Sequence, residues 1–489
     1  MSSASVVVPR RVAVRRVQTR FRLVGGGVLA VLLALLAIVL SLNAYETTLS
    51  QFRSIALNNS AKVDAAEQSL QYVASMAANA ATFVITAADS SSHWAAQDAV
   101  HSDFQKFRDQ MFAVRNTLSG AQEQDIYLNI EYFSYDQFWR HISNLLTAEQ
   151  NGDKATATSE YLVADNYLQN QIVRYLQQLE ALNFQAMEAT QQSAATTIWT
   201  QALILGFFTL VLALGLTFLS FWLRGKVRRY LTPGIDVALV VAWVLALAML
   251  IELWQAPQQL NRMVEDAYLS VSASSRVLAV ANQGNRDESG SIIDPSHVSY
   301  WQQEFDGYKN SVELRICGIK DCMSHSFLSV NDNSQIDPQM LNQARLVSVQ
   351  LDPTQGQTFK AIGGIAPLIA NVTFDGEAQA LEQARLAWLD YLTINTKLRQ
   401  LVDPKNKDYS LDDAITLETG TEPGQSTEAF SRFTTAMEQE RTINRTVFDE
   451  IWNTENNVLP AHRLLYGLVG YVLLIILVGA GVYHRFREL

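Results

Sequence analysis

At 489 residues the chain has room for two to four domains, and its hydrophobic residues, 48% of the total against 17% charged, are gathered into four blocks. The formal net charge is −11, and the basic residues lie beside the apolar blocks. This sets nucleic acid aside as a partner and makes the basic pieces topology signals and phospholipid contacts.

Residues 1–22 read as a basic cytoplasmic tail carrying Arg10, Arg11, Arg15, Arg16, Arg20 and Arg22. Residues 23–44 form the first apolar block, long enough to cross roughly 30 Å of hydrocarbon as a helix. Its core is longer than that of a signal peptide and no small-x-small site follows, so it reads as a retained anchor.

Residues 45–197 are rich in helix formers and contain no proline. Breaks near Asp89–Ser92, at Ser119–Gly120 and at Asn151–Gly152–Asp153 divide them into four helical stretches. Ser90–Ser92 and Asp153 suit N-caps, and Gly120 and Gly152 suit helix C-termini. Four helices with short loops pack up-down-up-down, which returns both chain ends to the membrane. The third stretch is dense in aromatics. It suggests one wall of a pocket for a small-molecule ligand, with Tyr135 and Trp139 beside Arg108, Arg115 or Arg140 as anion-binding groups. Ordinary core packing is the plainer account of the same aromatics.

Residues 198–223 form the second span, 224–234 a short basic cytoplasmic loop, and 235–254 the third span. Residues 255–462 form a second outer segment. Helices are expected over Gln258–Gln283, Pro295–Leu314, Glu377–Val402 and Thr427–Asn457, with an insertion at about 317–375 and a short helix inside it at Gln339–Leu351. Cys317 and Cys322 are the two cysteines, and four intervening residues permit a disulfide outside the cytoplasm. Residues 463–483 form the fourth span and 484–489 a cytoplasmic tail. Span, outer segment, span is thus used twice. Asn183 and Asn444 fall at inward positions at similar distances from the following span, as a tandem duplication requires. The expected fold is all-α: four transmembrane helices and two extracytoplasmic four-helix bundles. The positive residues place both termini in the cytoplasm of a multi-pass plasma-membrane protein.

The pieces Asn151-Gly152-Asp153-Lys154-Ala155, Leu182-Asn183-Phe184, Asp412-Asp413-Ala414 and Ile443-Asn444-Arg445-Thr446-Val447-Phe448 resemble the four-helix-bundle sensor modules of bacterial methyl-accepting chemotaxis receptors and sensor kinases. The resemblance implies sensing outside the cytoplasm, usually as a homodimer. It departs from the family in lacking a cytoplasmic output domain, so a signal would pass through a membrane partner. No catalytic motif, cofactor motif or metal-ligand cluster is present in the sequence. The expected function is therefore non-enzymatic signal perception; the rival is a scaffold whose outer bundles bind other envelope proteins.

Overall fold

The computed structural model describes the backbone of residues 10–118, 120–227, 233–313, 347–352, 357–361, 365, 368, 371–454 and 459–488. Among these the protein is all-α apart from one short hairpin. Helices α1 (Arg10–Arg53), α2 (Ser60–Ile85), α3 (Ser91–Arg115), α4 (Ala121–Glu131), α5 (Trp139–Gln150), α6 (Lys154–Tyr167) and α7 (Arg174–Val227) cover the first half. The second half holds α8 (Pro233–Asn261), α9 (Leu269–Ile293), α10 (Val298–Glu313), α11 (Glu377–Val402), α12 (Leu411–Thr419), α13 (Ser426–Asn453) and α14 (Leu459–Glu488). Single π-helical turns at Ser54–Asn59, Tyr132–Phe138, Leu168–Val173 and Arg262–Tyr268 join neighbouring helices without a break.

Helix ends follow local chemistry. Ser90, Asp153 and Ser410 each accept from the backbone N–H three residues on, as N-caps do. Gly152 closes α5 at φ +74°, a region that suits glycine. Two sequence expectations need correction. Val347–Leu351, expected as the end of a helix, lies in strand β1 (Val347–Asp352), which pairs antiparallel with β2 (Gln357–Ala361). The run Val-Ser-Val-Gln-Leu alternates with period two, which favours a strand. The second correction concerns Cys317 and Cys322, which form no disulfide. Both fall in residues 314–346, outside the described residues. Short spacing permits ring closure but does not bring two thiols into bonding geometry.

The chain divides into two compact units. The first holds Met1–Ser54, Thr190–Arg262 and Glu450–Leu489. Three helical stretches, Arg20–Ile85, Lys154–Gly225 and Gly467–Arg487, are long and apolar enough to cross a membrane, and Pro233–Ala248 is a shorter apolar helix. In this unit small residues face inward: Ala30, Ala34, Ala37, Ala213, Ala238 and Ala242 are buried with Leu212, Leu216 and Leu474. Large apolar side chains face outward, among them Leu32, Phe207, Phe218, Val244 and Ile476. Small-inside, large-outside is how helices pack in lipid, where close backbone approach rather than water drives association. A Cβ placed on Gly234 would lie 2.8 Å from the Gly481 Cα, so α8 and α14 touch backbone to backbone. Several polar groups here are paired. Thr209 and Tyr471 share a hydrogen bond of 2.8 Å, and Asp236 accepts from Ser220 at 2.7 Å and Arg224 at 3.3 Å. This mostly helical chain, with helices of membrane-spanning length, is consistent with an integral membrane protein.

The second unit joins Ile55–Ala189 with Met263–Asp449, so the two segments expected to form separate bundles contribute to one compact body. Helix α2 packs against both α3 and α9, and α9 packs against α10. One apolar core runs through Phe83, Phe107, Phe138, Tyr161 and Leu176 and takes in Ala279 of α9. A second aromatic group holds Trp388 against Phe433 at 4.9 Å and Tyr391 at 5.2 Å.

Candidate functional site

Helix α9 is buried along nearly its whole length, although its sequence is Leu-Ser-Val-Ser-Ala-Ser-Ser-Arg-Val-Leu-Ala-Val-Ala-Asn-Gln-Gly-Asn-Arg-Asp-Glu-Ser-Gly-Ser-Ile-Ile. Small Ser, Ala and Gly side chains let neighbours approach from every side. At Gly290 an added Cβ would sit 2.6 Å from the Trp301 ring, so the indole lies flat against the helix backbone. A helix buried all round must satisfy its polar groups internally. Those groups form the candidate site.

Its clearest part centres on Arg286, which is 1% exposed. The guanidinium Nη1 lies 3.0 Å from Asp165 Oδ1 of α6, and Nε donates to Asp287 Oδ1 at 2.9 Å. The Trp301 and Tyr308 rings stand 5.9 and 5.8 Å from the guanidinium carbon. Burial raises both carboxyls and Arg286 pulls them back, leaving Asp165 raised and Asp287 at about 7. The next residue, Glu288, accepts from Asn395 Nδ2 at 2.5 Å and Ser426 Oγ at 2.7 Å. Ser289 donates to Glu418 of α12. Burial lifts Glu288 to about 7 and Glu418 to about 8.

The N-terminal half of α9 repeats the pattern. Ser272 donates to Glu67 of α2, and Arg276 Nη1 lies 3.3 Å from Glu180. Ser274 donates to Glu440 of α13, which also accepts from Asn444 Nδ2 at 2.7 Å and is pushed up to about 8 by burial. Asp64 pairs with Arg445, and Tyr268 donates to the Ser60 carbonyl at 3.0 Å. The inward expectation for Asn183 and Asn444 agrees with their burial. Asn444 holds Glu440, whereas both amide atoms of Asn183 lack a partner among the described residues.

The aromatic helix and its arginines are arranged differently. Trp139 stacks on Phe104 with centroids 3.8 Å apart, and Tyr135 meets Phe104 edge-on at 5.7 Å. Burial lifts the Tyr135 hydroxyl to about 12. Arg108, Arg115 and Arg140 are exposed. Arg108 lies 3.9 Å from Asp109, and Arg140 donates to Gln137 at 2.9 Å. The two tyrosine-side aromatics thus share a ring cluster, while the three arginines point into solvent. His93 is buried against the Phe83 carbonyl at 3.1 Å, and His101 is exposed beside Trp139. Among the described residues no group of three or more His, Cys, Asp or Glu side chains is arranged to hold a metal ion.

Sequence reasoning missed Asp165, Arg286, Asp287, Glu288, Glu418 and Glu440. A run such as Arg286-Asp287-Glu288 ordinarily marks a solvated face. The signal that it is buried is the shortage of long side chains around it: Gly284, Ser289, Gly290 and Ser291 flank it. In the comparisons with known proteins, no family model, curated protein or solved structure matches this chain.

Proposed function

We propose that this chain is a sensor-like integral membrane protein without catalytic machinery of its own. In this reading the helical unit lies outside the cytoplasm, perceives a ligand or signal, and passes it to a partner protein through the spans. One observation carries the proposal. Helix α7 is uninterrupted from Arg174 to Val227, and its residues fall in both units. A shift along such a helix is not absorbed by a loop. The polar groups buried around α9 give the unit elements that can exist in two charge states.

The same reading holds that the two outer segments are duplicated bundles. Each opens with a π-helical turn, Ser54–Asn59 or Arg262–Tyr268, followed by a small-residue helix. Those two helices, α2 and α9, then pack on one another, as two copies of a dimerising module do. The distribution of arginines gives cytoplasmic termini.

Two measurements test this. With Cys317 and Cys322 replaced by serine, an impermeant thiol reagent on intact cells labels Asp109→Cys and spares Gly225→Cys. The reverse pattern refutes the topology. Hydrogen exchange on nanodisc-embedded protein then reads the helical unit across a panel of small metabolites and pH values. Unchanged protection throughout, together with a stoichiometric crosslinked partner, rejects sensing in favour of a scaffold.

A further inference from the structure

Several carboxyls buried in the helical unit lie against or near an arginine: Asp64 by Arg445, Glu180 and Glu67 by Arg276, Asp165 and Asp287 by Arg286. Glu288 and Glu418 are arranged otherwise. Each is 2% exposed, and among the described residues every hydrogen-bond partner of either is a neutral hydroxyl or amide. They sit on either side of one junction, because Glu288 and Ser289 are consecutive on α9 and Ser289 donates to Glu418. The Glu418 Oε2 has no hydrogen-bond partner among the described residues.

The surroundings offer little to offset charge. From α11, Asn395 and Tyr391 face Glu288, and Arg399 acts on it at one remove, its Nε bonded to Asn395 Oδ1 at 2.8 Å and its Nη2 to Asp306 at 2.8 Å. From α13 comes Ser426. Around Glu418 stand Ser289 and Glu288 of α9, Tyr161 of α6 and Tyr391 of α11. Asp287, paired with Arg286, acts weakly on Tyr391. Two carboxylates in such a site repel each other and lack a paired cation, so a proton is the natural counter-ion. Ser289 and Ser426 suit both states, since a hydroxyl donates to a carboxylate and turns to accept from a carboxylic acid.

We infer that the Glu288–Glu418 junction is a reversible proton-binding site, and that the proton is a ligand to which the helical unit responds by tightening α12 onto α9. This rests on the sensor reading only for its biological meaning; the site itself stands on the geometry. Burial is what moves both groups toward neutrality, and the Glu288 charge adds to the rise at Glu418. A carboxyl whose folded value is raised stabilises the packed state most below its unfolded value, about 4.3. That contribution fades as pH climbs through about 7 for Glu288 and about 8 for Glu418.

The full chain in nanodiscs provides the test, by infrared spectroscopy of carboxyl groups and by hydrogen exchange corrected for intrinsic rates, from pH 5 to 9. The protonated-carboxyl band of wild type is expected to fade across the neutral range, and E418Q to lose part of it. Exchange at Leu411–Thr419 should rise by up to about tenfold per pH unit in wild type and rise less steeply in E418Q, where the neutral amide mimics protonated Glu418 and Glu288 alone titrates. E288Q serves as the second variant should E418Q not fold. A wild-type band that is absent at pH 5, or that persists unchanged to pH 9, overturns the site. So does a pH profile of exchange that both variants leave unaltered. Titration with normal exchange changes, but no effect on any membrane partner, upholds the site and rejects the sensor reading.

Discussion

Replacing Arg286 by Met removes a buried charge while keeping most of its length, and the structure sets the size of the effect. Asp165 Oδ1 lies 3.0 Å from the guanidinium and Asp287 Oδ1 2.9 Å from its Nε, with Arg286 itself 1% exposed. Without the guanidinium both carboxyls lose the interaction that favours ionisation, and each takes up a proton. Neutralising one Asp at pH 7 from an unfolded value of about 3.9 requires about 4 kcal/mol. Asp287 is already near 7 in the intact protein, so most of the new loss falls on Asp165. Asp165 is itself raised in the intact protein, so about 4 kcal/mol is the ceiling of the loss, of the order of the ~3–5 kcal/mol expected when one partner of a buried ion pair is deleted. The sign with pH follows. Raised carboxyls destabilise the variant more as pH rises, so its deficit relative to wild type shrinks toward about 1.5 kcal/mol at pH 5. Denaturant unfolding in detergent, followed by tryptophan fluorescence at pH 5 and 7, measures both numbers. A deficit below about 1 kcal/mol at pH 7, or one that grows on acidification, refutes the claim that Arg286 neutralises two buried carboxylates.

Other outcomes follow from packing. Gly290→Ala drives a methyl into the Trp301 ring, 2.6 Å from the ideal Cβ, and should lower stability by about 1–3 kcal/mol with a shift in tryptophan emission. Gly481→Leu places its Cβ 2.7 Å from Ile235 Cγ1 and 3.0 Å from the Ile235 backbone nitrogen. The detergent-extracted variant should melt earlier and run broader on gel filtration, and an unchanged profile contradicts the backbone contact between α8 and α14. Ser90→Ala loses the bond from His93 N–H at 3.2 Å, worth about 1 kcal/mol, which faster exchange in the first turn of α3 would register.

What the sequence reveals and what it hides divide along a physical line. Helix boundaries set by nearest neighbours in the chain are legible. Glu377–Val402 matches its expected limits, and the breaks at Ser90 and Asn151–Asp153 stand where small polar residues and Gly152 put them. Three of the four expected apolar stretches are equally plain, lying in helices long enough to cross a membrane, while among the described residues the expected stretch 235–254 gives the shorter apolar helix Pro233–Ala248. The central pairing of α2 and α9 is not legible. Neither helix has a broad apolar stripe, and a helix rich in alanine and serine can be read as exposed as easily as enclosed. The aromatic cluster around Trp139 was visible, but its neighbouring arginines turn outward, which a count of residues on one helix does not reveal. The strand at Val347–Asp352 is a local pattern misjudged in favour of helix.

The same residue types solve opposite problems in the two units. Among the apolar helices, Ala and Gly at the contact faces bring backbones together so that bulky side chains are left outside. Around α9, small residues again bring backbones together, and what enters the space is polar and ionisable groups from distant parts of the chain: Asp165 from α6, Glu418 from α12, Ser426 and Glu440 from α13. The polar site therefore has no sequence motif to find. Its members are separated by 129 residues for Ser289 and Glu418 and by 138 for Glu288 and Ser426, and they meet only because α9 is thin enough to be surrounded. A helix with ordinary leucines in those places would hold its neighbours farther off, and Glu288 would face water, keep its charge and bind no proton near neutrality.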